Sequence, residues 1–185
     1  MFTGRDASLS NGRKSVAVHS DGACSGNPGP GAWAAILTYK GRMCEISGAV
    51  LATTNNRMEL QAAIEALSAL KEPCNVDFVT DSEYLRKGIT EWLGLWKANG
   101  WRTRAKKRVK NADLWCALDR LNSRHAISWN WVKGHAGDPC NERCDQLARE
   151  QIVTIVSQSD SGQLKAALAE FKRRNADDSQ QQVLF

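Results

Sequence analysis

Three observations predict an α/β fold for this 185-residue chain. Two apolar runs, Val16-Ala17-Val18 and Val76-Asp77-Phe78-Val79-Thr80, are each followed by a carboxylate, Asp21 and Asp81. Between them Leu60, Ala63, Ile64, Leu67 and Leu70 follow helical spacing. A helix connecting parallel strands crosses right-handedly, so the two strands can lie side by side with both carboxylates at one end of the sheet, the end where open α/β sheets bind ligands. The third observation is size: 42% hydrophobic residues in one unrepeated chain suffice for a single core with modest tails.

Taken in order, residues 1–14 are polar and aperiodic and are expected to form a flexible arm. The glycines and prolines after Asp21 are expected to end the first strand abruptly, leaving Asp21 at its C-terminal edge, although Asp21-Gly22 read alone is an Asx-turn, a reading that the residues downstream displace. Ala32 to Tyr39 and Met43 to Leu51 read as strands joined by a turn at Gly41, completing an antiparallel meander. Thr53 and Thr54 offer N-cap hydroxyls for a helix that is periodic from Met58, with Glu59 in its first turn. Pro73 closes the next loop. After Asp81, either it or Ser82 can cap a short helix, Glu83 to Lys87. Asn111 or Asp113 can cap another through Leu114, Leu118 and Leu121, and Ile127, Trp129 and Trp131 alternate with polar residues as a strand. A last core helix begins near Asn141 and carries Asp145, with Leu147, Ala148, Ile152 and Ile155 on its apolar face. The domain is therefore expected to span 15–156, with an extension over 157–185.

No apolar run approaches the roughly 18 residues of a membrane span, and no signal peptide is apparent, so a soluble cytoplasmic protein is expected. The six cysteines contain no Cys-x-x-Cys pair, which favours reduced thiols over a zinc or redox motif. Cys140 and Cys144, one turn apart, lack a second pair of ligands in the sequence.

A net charge of +5 and a pI near 9.0 hint at a polyanionic partner. Their distribution says more. Between Trp92 and Asn111 stand Lys97, Arg102, Arg104, Lys106, Lys107, Arg108 and Lys110, with no acid among them, interleaved with Trp92, Trp96 and Trp101. Such a segment suits phosphate contacts that weaken as salt rises. Its tryptophans serve either as packing for a protruding helix or as stacking platforms. Farther on, His135 sits between Gly134 and Gly137, where a loop histidine can ionise near neutral pH.

Several separated motifs agree in order: Ser20-Asp21-Gly22, Gly26-Asn27-Pro28-Gly29-Pro30-Gly31, Thr54-Asn55-Asn56-Arg57-Met58-Glu59-Leu60, Thr80-Asp81-Ser82, and Trp131-Val132-Lys133-Gly134-His135-Ala136-Gly137 through Asn141-Glu142-Arg143-Cys144-Asp145. Together, over about 15–152, they resemble bacterial type 1 ribonuclease H. The resemblance implies a ribonuclease H-like fold, a five-stranded mixed sheet flanked by helices. It implies a cluster of Asp21, Glu59, Asp81 and Asp145 with His135 beside it, and the basic segment as the substrate-binding protrusion. The implied activity is endonucleolytic hydrolysis of the RNA strand of RNA–DNA hybrids, giving 5′-phosphate and 3′-hydroxyl ends, by a monomer.

Hydrolysing a phosphodiester needs an activated water and a stabilised leaving oxygen, and two divalent ions about 3.5–4 Å apart serve both. Four carboxylates are hard ligands that suit two Mg²⁺ ions, with Mn²⁺ as a substitute. In that reading Asp21 bridges both ions, Glu59 and Asp81 ligate one side and Asp145 the other, while His135 moves protons or assists product release. The 2′-hydroxyl distinguishes RNA from DNA. The resemblance offers Asn27, Asn55 and Asn56 for that contact, with Cys24 nearby, and Thr54, Trp92, Lys110 and Asn111 for the rest of the substrate, chiefly the DNA strand. The chain departs from the family pattern at two positions: Ala52 stands where some relatives place a basic residue, and Glu83 where an amide is frequent. A hybrid-binding module without catalysis and a different metal-dependent nuclease are the competing readings, disfavoured respectively by the complete set of acids and by the basic insertion with its Gly-His-Ala-Gly loop.

In the extension, Leu164, Ala167, Leu168 and Phe171 predict a short amphipathic helix, with a flexible polar chain beyond Arg174. Its last residues, Gln181-Gln182-Val183-Leu184-Phe185, resemble the Gln-x-x-Leu-Phe peptides by which bacterial replication and repair proteins bind the sliding clamp. An ordinary frayed end is the competing reading.

Overall fold

The computed structural model describes residues 12–132 and 137–180, the side chains of 177–180 excepted. Five strands form one mixed sheet in the order β3-β2-β1-β4-β5. β1 (Ser15–Cys24), β2 (Gly29–Tyr39) and β3 (Arg42–Thr53) form the antiparallel meander. β4 (Asn75–Thr80) and β5 (Ala126–Trp131) run parallel to β1 on its other side. The turn between β2 and β3 places Lys40 at φ 49° and Gly41 at φ 75°. Two left-handed residues in succession are what a type I′ hairpin requires, and glycine adopts the second without steric cost.

Alternation along β2 divides the core into two. Ala35 and Leu37 join Val16, Val18, Leu60, Leu67, Phe78, Trp115 and Leu118 on one face, whereas Ala32, Ala34 and Ile36 meet Cys144, Leu147 and Ala148 on the other. The first face is covered by α1 (Asn55–Ser68) with α4 (Ala112–Arg124) packed beside it, the second by α5 (Pro139–Ser157). Burying a large apolar side chain contributes roughly 1.5–3 kcal/mol, so the fully buried Trp115, Phe78 and Leu60 anchor the first face strongly.

After β4 come α2 (Glu83–Lys87), a π-helical turn (Gly88–Trp92) and α3 (Leu93–Ala98). The tilted rings of Trp92 and Trp96 lie 5.5 Å apart, Trp96 lies 5.4 Å from Trp115, and Tyr84 lies 5.4 Å from Trp115. Packing therefore occupies these tryptophans, and Trp92 keeps part of its surface in solvent. The basic segment closes on itself through the bridge Arg102–Arg108 and the bond from Thr103 N–H to Lys107 O, 2.8 Å.

α1 begins at Asn55, directly after Thr54, one of the two residues expected at its N-cap. One expectation about the elements changes. Beyond α5, α6 (Ser161–Gln180) is helical past Arg174 and lies against β3. Its half-buried Leu164, Ala167, Leu168 and Phe171 recur at helical spacing, enough apolar surface to hold the helix on the domain. No described helix is long and apolar enough to cross a membrane. All six cysteines are free thiols. His135 and the stretch Gln181 to Phe185 lie outside the described residues.

Candidate active site

The sheet's topology creates the site. Parallel pairing of β1 with β4 stops at His19–Val79, while antiparallel pairing with β2 continues through Asp21–Ala34 to Cys24–Gly31. Asp21 is thus inside β1 and not at its end, because β2 reaches back to Gly29 and supplies backbone partners beyond the carboxylate. It still lies past the last pair that β1 shares with β4, and Asp81 follows immediately after β4.

Glu59 comes from α1, in the second turn and not the first, since the helix starts at Asn55. Thr54 occupies the N-cap position without a side-chain cap bond, and its hydroxyl is buried without a partner. The close approach of α1 to β1 depends on Gly22: a Cβ there would stand 2.3 Å from the backbone nitrogen of Glu59. Asn55 Nδ2 donates to Glu59 Oε1 at 3.0 Å, and Ser82 Oγ donates to Oε2 at 2.5 Å while accepting from the Leu85 N–H at 3.1 Å. Ser82 thereby caps α2 and orients a carboxylate with one hydroxyl.

Asp81 is held from two sides. Trp131 Nε1 donates to its carbonyl oxygen at 2.9 Å, and Asn141 Nδ2 to its carboxylate at 3.1 Å. Asn141 and Asp145 are one turn apart on α5 and face the same way, and Arg149 Nε bonds Asp145 Oδ1 at 2.9 Å.

Asp21, Glu59, Asp81 and Asp145 line one open depression of about 500 Å³, and Arg149 is its one cation among the described residues. Burial pushes the Asp21 carboxyl up to about 7, the Asp81 charge reinforces the rise, the Gly22 N–H 2.7 Å away opposes it, and Asp145 and Glu59 add to it. Burial also raises Glu59, against the hydrogen bond from Ser82. Acids that resist ionising because they are desolvated and face one another mark a place prepared for positive charge.

The expected substrate residues fall into two groups. Asn27, Asn55 and Cys24 gather beside the depression: Asn27 Oδ1 accepts from the Asn55 N–H at 3.2 Å, Cys24 Sγ contacts Gly26 O at 2.6 Å, and half-buried Asn56 follows Asn55 on α1. Near the start of α4, Asn111 adopts φ 59°, accepts from Arg57 at 3.3 Å and donates to the Tyr84 hydroxyl at 3.2 Å. That hydroxyl also contacts Lys110 O, and the Tyr84 ring lies 6.0 Å from Trp92. Lys110, Asn111 and Arg57 border a second hollow of about 640 Å³ that Lys107, Phe171 and Arg174 complete. Ser82 caps α2 as expected, but its bond to Glu59 and the roles of Asn141 and Arg149 beside the carboxylates escaped sequence reasoning, though the i, i+4 spacing of Asn141, Asp145 and Arg149 pointed to one shared helix face. The departures are benign locally: Glu83 pairs with Lys87 at 3.0 Å, and Ala52 is half-buried on β3.

The profile of the RNase H family matches residues 13–153. The chain belongs to the ribonuclease H family. A ribonuclease H of Brucella anthropi is 61% identical over 137 residues, 74% of this chain and 89% of that protein. The ribonuclease H of Mesorhizobium japonicum is 61% identical over 140 residues, 76% and 79% of the two chains. Among solved structures, LC9-RNase H1, a type 1 ribonuclease H with the type 2 active-site motif, superposes with a TM-score of 0.69 at 34% identity, covering 81% of this chain and 76% of that one. The ribonuclease H match ends before α6, so the helix against β3 lies beyond it.

Proposed function

We propose that the chain is an endonuclease that hydrolyses the RNA strand of RNA–DNA hybrids with two divalent ions, Mg²⁺ or in its place Mn²⁺, leaving 5′-phosphate and 3′-hydroxyl ends. The observation that carries this reading is the meeting of four carboxylates with a single cation in one depression, Asp21 being pushed up to about 7 by burial and by its neighbours. That donor set fits hard divalent ions: it offers only oxygen, and the charge it lacks is positive. When bound, such ions supply an activated water and stabilise the leaving 3′-oxygen.

The chain's own residues do the rest. Asp21, Glu59, Asp81 and Asp145 would hold the ions, Asp21 shared between the two, Glu59 and Asp81 serving one and Asp145 the other. Ser82 and Asn141 hold the Glu59 and Asp81 carboxylates in place where they line the depression. His135 moves protons or assists product release. Asn27, Asn55 and Asn56, with Cys24 nearby, reach the RNA 2′-hydroxyls, Thr54, Trp92 and Asn111 take the DNA strand, and Lys110 adds a further substrate contact. The protein works as a monomer in the cytoplasm on this reading, and Gln181 to Phe185 dock on a sliding clamp.

The test is incubation of strand-labelled hybrid with Mg²⁺, beside duplex DNA and duplex RNA. Cleavage of the RNA strand of the hybrid alone is expected, and its loss in Asp21→Asn without loss of hybrid binding. Cleavage of the DNA strand, or none, would overturn the proposal. For the tail, a titration of clamp with full-length protein and with a version ending at Gln180 decides: equal binding by both rejects the contact.

A further inference from the structure

Chain spacing gives Cys140 no metal partners, yet folding supplies them. His19 on β1, Asp138 at the N-cap of α5 and Cys140 in its first turn bring one donor atom each within 4.8 Å of one another. These residues are distinct from the four carboxylates of the depression.

We propose that His19, Asp138 and Cys140 form a second metal site for a borderline transition ion, Zn²⁺ being the reference case. The imidazole supports this directly. Its side chain is 15% exposed and neither ring nitrogen has a hydrogen-bond partner among the described residues: Nδ1 is buried and unpaired, and Nε2 stands 3.6 Å from Asp138 Oδ2. Nε2, which faces Asp138, is the nitrogen that would bind, because the buried Nδ1 cannot reach the same ion. The 3.6 Å gap is too long for a hydrogen bond, but two ligands with bonds of about 2.0 Å to one tetrahedral ion stand about 3.3 Å apart.

Asp138 divides its two oxygens between tasks. Oδ1 caps α5 by accepting from the Cys140 and Asn141 N–H groups, both at 3.0 Å, which leaves Oδ2 facing His19. A nitrogen, an oxygen and a sulfur donor select Zn²⁺ or Co²⁺ over Mg²⁺, which prefers oxygen alone. Three protein ligands leave the fourth position to water. The carboxylate and the thiolate offset the positive end of the α5 dipole. Occupation would pin β1 to the start of α5, next to Asn141, which holds Asp81.

Co²⁺ titrated into full-length protein with excess Mg²⁺ present, so that the carboxylate depression is saturated, tests the site. A thiolate-to-cobalt charge-transfer band reaching one ion per chain, displaced by Zn²⁺, is expected. The band should vanish in Cys140→Ala, and the apparent affinity should fall more than about tenfold in His19→Gln. Zn²⁺ should raise the melting temperature of the parent protein and not that of Cys140→Ala, and that parent measurement reports on the site even where a variant folds poorly. Absence of the band, or its persistence in Cys140→Ala through Cys24 or Cys144, would overturn the proposal.

Discussion

Removing the charge of Asp21 should make the metal-free protein more stable. The carboxyl sits near 7 in the fold against an ordinary 3.8. A carboxyl raised by folding keeps its proton after the unfolded chain has lost it, so its contribution to stability is fully present below about 4, declines as pH rises, and is lost above about 7. A difference of roughly three in pKa corresponds to about 4 kcal/mol, and water in the open depression reduces this to about 2 kcal/mol. For a chain of this length each kcal/mol moves the melting temperature by about 2–4 °C. Asp21→Asn should therefore melt about 4–8 °C above the parent at pH 8 in chelator, followed by circular dichroism. At pH 4 the gap should close, because both proteins are then neutral at this position. Saturating Mg²⁺ at pH 8 should also narrow it, since the ion stabilises only the chain that binds it. A variant no more stable than the parent at pH 8, or a gap of equal size at pH 4, would refute the idea that Asp21 is desolvated among like charges.

Ser82→Ala removes both the α2 cap and the bond to Glu59, at a cost of about 1–2 kcal/mol. Because that bond lowers the Glu59 pKa, the acid limb of the pH–rate profile should move to higher pH, and an unmoved limb would separate Ser82 from catalysis. His135→Ala should slow turnover while Mg²⁺ dependence persists, and loss of metal binding in calorimetry would contradict its role as a proton carrier. Replacing Lys106, Lys107 and Lys110 with Gln should raise KM more than it lowers kcat and flatten the salt slope by about 1 per lost phosphate contact. An unchanged slope would mean that these cations face away from substrate.

Asp21 and Asp81 were legible as a pair because apolar strand runs are local features, whereas Glu59 and Asp145 joined them only through the family resemblance. Asp81 lies where its strand implied, directly after β4. Asp21 was placed one step wrong: glycine after a carboxylate signals a turn, yet Gly22 remains in β1 because Trp33 of β2 pairs with it, and pairing partners distant in sequence leave no local trace. The reach of α6 depends on contact with β3, and the proximity of His19 to Cys140 depends on how α5 crosses the sheet. Both are tertiary facts, which spacing along the chain does not encode.

β3 is the outer strand of the sheet, twelve residues long, with Met43 and Val50 exposed at 59% and 40%. An outer strand of that length, with backbone groups unpaired on one side, is a template on which another molecule can add a strand. α6 lies against it, and Arg143 forms a bidentate pair with Glu45 of the same strand. A helix packed against such a strand would oppose growth of the sheet from one copy into the next.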